Sequence, residues 1–279
     1  MRSRFFQGLG TAGFHRLHYT EWGDPAAPTV VCIHGLTQNA RTFDALAAAL
    51  APTRHVVCLD VVGRGRSDRL ADPAGYDYAQ YCADANALFA RLDVDTLDFV
   101  GTSMGGVIGM MLAAMPGQPI GRLVVNDVGP LIPKDAIARI KGYVGQPFRF
   151  DDIAGLEAHM RKAYAPFGDL TDAQWRKFAE DAAQTHDDGS VTQAYDPAIA
   201  VPFRALADED VEFWPVWDAI SVPVLLLRGA ESDLLLAETA AEMQRRGPET
   251  RLAEFAGVGH APALMSDDQI GAVAEFLAA

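Results

Sequence analysis

Apolar residues along this chain fall in short runs, and stretches of helical spacing alternate with them. Thr29 to Ile33, His55 to Leu59, Leu97 to Val100, Leu123 to Asp127, Val222 to Leu227 and Arg251 to Phe255 read as strands. Runs of this length, bounded by turn residues, are what a strand buried on both faces looks like. Phe14 to Trp22 reads as a more extended strand entering a Gly23-Asp24-Pro25 turn. Helical spacing predicts helices over Thr42–Leu50, Tyr78–Leu92, Val107–Ala114 and Ile270–Leu277. Strand and helix in alternation predict an α/β fold, a mainly parallel sheet covered by helices.

The pattern changes between Pro130 and about Trp217, where no strong strand run occurs. Helix-like pieces carry aromatics instead: Tyr143, Phe148, Tyr164, Phe167, Trp175, Phe178, Phe203, Trp214 and Trp217. This predicts a core made of residues 1–129 and 218–279, with 130–217 as a helical insertion over the sheet's carboxyl edge. Most of these aromatics are expected to pack the insertion's own core. Trp214 and Trp217 are taken as candidates for a pocket beneath it.

The most informative local feature is Gly101-Thr102-Ser103-Met104-Gly105. An apolar strand enters it and a helix leaves it. A sharp turn there pushes the Ser103 hydroxyl clear of the chain, and side chains at Gly101 or Gly105 would collide with the neighbouring strand and helix. The following helix aims its partially positive end at the same place. The competing reading is a serine that merely caps that helix.

Composition narrows the function classes. With Lys+Arg 23 against Asp+Glu 37, the formal net charge is -14 and nucleic acid is an unfavourable partner. No run reaches the roughly 18 apolar residues of a membrane span. The start, Met1 to Gly8, lacks an apolar stretch of signal-peptide length, so a cytoplasmic protein is expected. Cys32, Cys58 and Cys82 cannot all pair, and buried reduced thiols are expected. No Cys/His cluster has metal-ligand spacing.

Three further features accompany the elbow serine. His34-Gly35-Leu36 follows a buried strand. Asp233 lies just beyond the Leu225–Leu227 strand. His260 sits in a glycine-flanked loop after the last strand. The order Ser103, Asp233, His260 is nucleophile, acid, base, and each residue falls at a strand's carboxyl end. With these motifs the chain resembles the α/β-hydrolase superfamily over nearly its whole length. The resemblance implies a sheet of about eight strands, a cap inserted after the sixth, and backbone N–H donors for an oxyanion at Leu36 and Met104.

The expected chemistry is hydrolysis of a carboxylic ester, a lactone or a thioester. Ser103 attacks, His260 moves the proton and Asp233 orients the imidazole, without metal or organic cofactor. Asp127 and Glu231 are the rivals of Asp233, and some superfamily members take their acid from the position of Asp127. His34 is expected to shape the oxyanion loop and to border the substrate. Arg64 and Arg66 are expected to fix their loop through ion pairs with Asp60 or Asp68. The insertion's aromatics and Met104, Met110 and Met111 favour a small, largely apolar substrate. Two alternatives stay open: carbon–carbon or amide hydrolysis on the same residues, with Arg139 or Arg161 clamping an acid, and a non-catalytic ligand receptor. The residues leave oligomeric state undetermined.

Overall fold

A computed structural model describes residues 1–279. Strands β1 (Arg2–Gly10) and β2 (Gly13–Trp22) form an antiparallel hairpin at one edge of the sheet. The chain continues through β3 (Thr29–Ile33), α1 (Asp44–Leu50), β4 (His55–Asp60), α2 (Tyr78–Leu92), β5 (Leu97–Thr102), α3 (Met104–Ala113) and β6 (Ile120–Asn126). Next come β7 (Leu131–Ile132), α4 (Lys134–Tyr143), α5 (Ile153–Ala163), α6 (Asp172–Ala182), β8 (Ala183–Thr185), β9 (Val191–Gln193), α7 (Ala200–Arg204), β10 (Val211–Glu212) and α8 (Trp214–Asp218). The sheet is completed by β11 (Val224–Gly229) and β12 (Thr250–Phe255), with α9 (Ala237–Met243) between them and α10 (Asp267–Ala278) last.

The eight-stranded sheet has the order β1-β2-β4-β3-β5-β6-β11-β12, parallel from β4 to β12. The strand and helix pattern predicts such a mainly parallel, helix-covered sheet, and its eight strands are those of the α/β-hydrolase fold that the resemblance implies. Strands β3, β4, β5 and β11 are buried at every position, which is why they read as unbroken apolar runs. One apolar cluster, including Leu59, Phe99, Ile108 and Leu123, fills one side of the sheet. A second, including Phe43, Leu46, Val100 and Phe276, fills the other. Helix α3 is apolar nearly all round and buried, as its position against the sheet requires. Asp77 caps α2 by accepting from the Gln80 N–H, and Asp93 ends it in the left-handed conformation.

Two features depart from the sequence reading. Strand β1 was not expected, because the basic start hides a half-buried edge strand in which only Phe6 and Gly8 are buried. The 131–218 segment is mainly helical but holds four strands of two or three residues, too short to leave an alternating pattern. Its helices α5 and α6 enclose a small core of their own around Leu156, Met160, Trp175 and Phe178, joined by Tyr164 and Phe167, but Tyr143, Phe203, Trp214 and Trp217 pack with the main core instead of the insertion's own. No helix is long and apolar enough to cross a membrane.

Candidate active site

Ser103 follows β5, Asp127 follows β6 and His260 follows β12, so three carboxyl ends of a parallel sheet converge. Ser103 adopts φ 53° and ψ -114°, a conformation that residues with side chains rarely enter. The close approach of the chain explains the flanking glycines. A Cβ at Gly105 would lie 1.9 Å from the Ile33 carbonyl oxygen, and one at Gly101 would lie 2.2 Å from that of Gly105. The Ser103 side chain does not cap α3. Its Oγ lies 2.9 Å from His260 Nε2.

The acid position corrects the sequence reading. His260 Nδ1 is 2.8 Å from Oδ2 of Asp127, not of Asp233. Asp127 is fully buried. Its Oδ1 accepts the Gly229 N–H at 2.8 Å, and its Oδ2 also accepts the Ser232 hydroxyl at 2.6 Å. Asp233 faces outward, with its side chain 52% exposed and paired to Arg139 at 2.6 Å. The loop after β11 does reach the site, but through Ser232 and the Gly229 amide. Both carboxylates follow a buried strand, so strand pattern alone does not distinguish them. Glu231 makes no side-chain bond to His260, whose Nδ1 is taken by Asp127.

Leu36 and Met104 border the space in front of Ser103. Met104 is the first residue of α3, where an N–H has no intrahelical acceptor. The Leu36 N–H has no backbone acceptor either. His34 is fully buried behind this loop and does not face the cavity. Its Nδ1 bonds the Gly35 carbonyl at 2.7 Å, and its Nε2 accepts the Val61 N–H at 3.1 Å. Gly35 C=O and Leu36 N–H share one peptide plane, so His34 fixes the direction of that N–H. This arrangement needs a neutral ring with its proton on Nδ1. Burial supplies the neutrality by pushing the His34 pKa down to about 4.

Arg64 is buried too, without the ion pair expected of it. Its Nε donates to Leu36 O at 2.9 Å, Nη1 donates to Val62 O at 2.8 Å and to the Tyr81 hydroxyl at 3.0 Å, and Nη2 lies 3.4 Å from Met104 Sδ. The guanidinium carbon lies 5.0 Å from the Tyr81 ring centroid. The Arg66 side chain reaches Ser3, and only its backbone N–H meets Asp60. Asp60 instead holds His18 and the Ala40 amide.

Two cavities meet at Ser103, Leu36 and Ile140. One, of about 310 Å³, is almost wholly apolar, with Val107, Met111, Val128 and Phe213 in its walls. The other, of about 220 Å³, also touches His260 and has a polar wall that includes Thr37, Gln38, Arg139 and Gln193. Tyr164 joins that wall, its hydroxyl 2.8 Å from both Thr37 Oγ1 and Gln193 Nε2. Trp214 and Trp217, expected near substrate, border neither cavity. Trp217 is fully buried and donates to Arg246 O at 2.9 Å, while Trp214 stacks under the Arg246 guanidinium. Arg161 pairs with Glu157 and Asp172, away from both cavities. Sequence reasoning missed Ser232 and the Thr37-Gln38 wall. The latter stands two residues beyond the His34-Gly35 turn and could have been found from that adjacency.

The comparisons agree with this architecture. A model of the Alpha/beta hydrolase family matches residues 30–276. The chain is 45% identical over 284 aligned positions to the 3-hydroxybutyrate-oligomer hydrolase of Cupriavidus necator, with 99% of this chain and 97% of that protein covered. A solved structure from Rickettsia typhi superposes with a TM-score of 0.94 at 30% identity, covering 100% of this chain and 99% of that one. An alpha/beta hydrolase from Novosphingobium aromaticivorans superposes with a TM-score of 0.89 at 36% identity, covering 99% and 98%. From its first buried strand to its last helix, this chain belongs to the alpha/beta hydrolase family.

Proposed function

We propose that this protein hydrolyses carboxylic esters through Ser103, His260 and Asp127, and that short esters of hydroxy acids are its substrates. The observation that carries the reading is the unbroken chain from Ser103 Oγ through His260 to Asp127, with steps of 2.9 and 2.8 Å. A serine hydroxyl is a weak nucleophile until a base takes its proton. His260 Nε2 accepts that proton as Oγ attacks the ester carbonyl, and Asp127 stabilises the imidazolium through Nδ1–H. The carbonyl oxygen becomes an oxyanion and receives the Leu36 and Met104 N–H groups. Each such donor contributes roughly 3–4 kcal/mol to lowering a barrier of this kind.

Collapse of this intermediate expels the alcohol, which takes the proton from Nε2 and leaves an acyl group on Ser103. Water then gives a proton to His260 and attacks the acyl carbon. The acid departs and Oγ recovers its proton. Residues 130–217 act as a cap that closes the cavities over this chemistry. The substrate class rests on the similarity to the 3-hydroxybutyrate-oligomer hydrolase. The pairing of an apolar with a polar cavity suits an ester with unlike arms.

The test is turnover of p-nitrophenyl butyrate and of the linear dimer of 3-hydroxybutyrate, together with covalent labelling by a fluorophosphonate. Turnover and labelling that both vanish in Ser103→Ala support the reading. Ligand binding without turnover or labelling overturns it in favour of a receptor.

A further inference from the structure

We propose that Arg139 is a carboxylate anchor, that the preferred esters carry a free carboxylate on one arm, and that Asp233 occupies the anchor when substrate is absent. This deepens the ester-hydrolase reading and rests on it. The smaller cavity contains Ser103 and His260, and Arg139 is the only lysine or arginine in its wall. No aspartate or glutamate lines it, although the chain carries 37 of them against 23 Lys and Arg. Beside His260, and His159, whose pKa burial pushes down, the rest of the polar wall is hydroxyls and amides: Thr37, Gln38, Thr102, Gln193 and the phenols of Tyr143, Tyr164 and Tyr195. Hydroxyls and amides around one guanidinium make a site for an anion with further hydrogen-bonding groups. The net charge of -14 means that attraction from the protein as a whole does not draw such an anion in.

The guanidinium is already turned for a carboxylate. Nε and Nη2 donate to the two oxygens of Asp233 at 2.6 and 2.9 Å, a two-pronged geometry specific to planar carboxylates, while Nη1 has no protein partner. The side chains are 43% and 52% exposed, so the pair is weakly held against water and a competing carboxylate can replace Asp233. Arg139 belongs to α4 and Asp233 to the loop after β11. A linear oligomer of 3-hydroxybutyrate ends in one carboxylate a few bonds from its last ester. With that ester at Ser103, the smaller cavity takes the acidic arm and the apolar cavity takes the other.

The experiment compares the 3-hydroxybutyrate dimer with the same dimer whose carboxylate is capped as a primary amide, by the ratio of their kcat/KM values. Taking the ratio cancels partial loss of folding. In the wild type the acid is favoured, in Arg139→Gln the ratio falls about tenfold or more, and in Asp233→Asn it rises as the competitor is removed. Equal turnover of the two dimers by the wild type, turnover of neither, or an unchanged ratio in Arg139→Gln overturns the anchor. A ratio unmoved or lowered in Asp233→Asn overturns the competition and makes the pair a structural tie. Wild-type turnover of p-nitrophenyl butyrate separates these failures from failure of the ester-hydrolase reading itself.

Discussion

Ser232 Oγ donates a 2.6 Å hydrogen bond to Asp127 Oδ2, the same oxygen that faces His260. The hydroxyl also accepts from the Leu234 and Leu235 amides, at 3.3 and 3.1 Å, so it is oriented before it meets the carboxylate. Two loops, one after β6 and one after β11, thus share the work of presenting a single acid. Ser232→Ala removes a bond to a charged group, worth about 1.5–3 kcal/mol, and kcat is expected to fall about tenfold to a hundredfold. KM should change much less. Ser232→Thr, which keeps the hydroxyl, should recover most of the loss. Steady-state kinetics of the two variants check this.

The correction from Asp233 to Asp127 makes its own forecast. Asp127→Asn is expected to lower kcat by about a thousandfold to ten-thousandfold, because an amide no longer selects the working tautomer of His260. Asp233→Asn should cost at least about a hundredfold less on p-nitrophenyl butyrate, since Asp233 does not touch the imidazole. Comparable losses in the two variants would refute the assignment.

These two carboxylates also show where the sequence stops being legible. Ser103 is marked by sterics: the close packing of Gly101 and Gly105 forbids other residues, and that constraint is written in the local string. His260 is marked by its position after the last strand. The choice between Asp127 and Asp233 depends on which way each loop turns beyond its strand, and tertiary packing decides that. Trp217 illustrates the same limit, because an indole that fills a core and one that lines a pocket are the same letter. Arg64 departs from expectation because its partners are carbonyls and phenol rings, which leave no charge pattern to read.

His34 gives a pH dependence with a definite sign. Its pKa is near 4 in the folded protein and near 6.5 in the unfolded chain, so between these values the unfolded chain binds a proton that the fold refuses. Stability from this group is complete above about pH 6.5 and is lost as pH falls toward 4, by roughly 3 kcal/mol. Asp84, raised by burial to about 6, acts in the opposite direction. Urea unfolding of wild type and His34→Gln at pH 7, 5.5 and 4.5 isolates His34, because Asp84 is common to both. The wild type should lose ground against the variant as the pH drops.

Two glycine substitutions should move stability in opposite directions. Gly105→Ala places a methyl group against the Ile33 carbonyl, a backbone atom that cannot rotate away, and is expected to cost more than about 3 kcal/mol or to prevent folding. Gly142 lies within helix α4, with nothing near the site of a Cβ. Gly142→Ala should stabilise by about 0.5–1 kcal/mol. Thermal unfolding of both proteins checks the pair.

The Arg64 guanidinium is sealed from solvent. It braces Leu36 through a carbonyl on one side and touches the Met104 sulfur on the other. The corner proposed to receive the developing negative charge is therefore braced by the loop after β4, and that loop in turn bonds the chain around Tyr195. The wall contributed by α4, which makes no hydrogen bond to Leu36, Arg64 or Met104, can then be rebuilt by mutation to admit different esters, whereas the chain around Gln193 is bonded to Thr37 and belongs to the corner itself. On the proposed mechanism, that wall can evolve new selectivity without disturbing the groups that react.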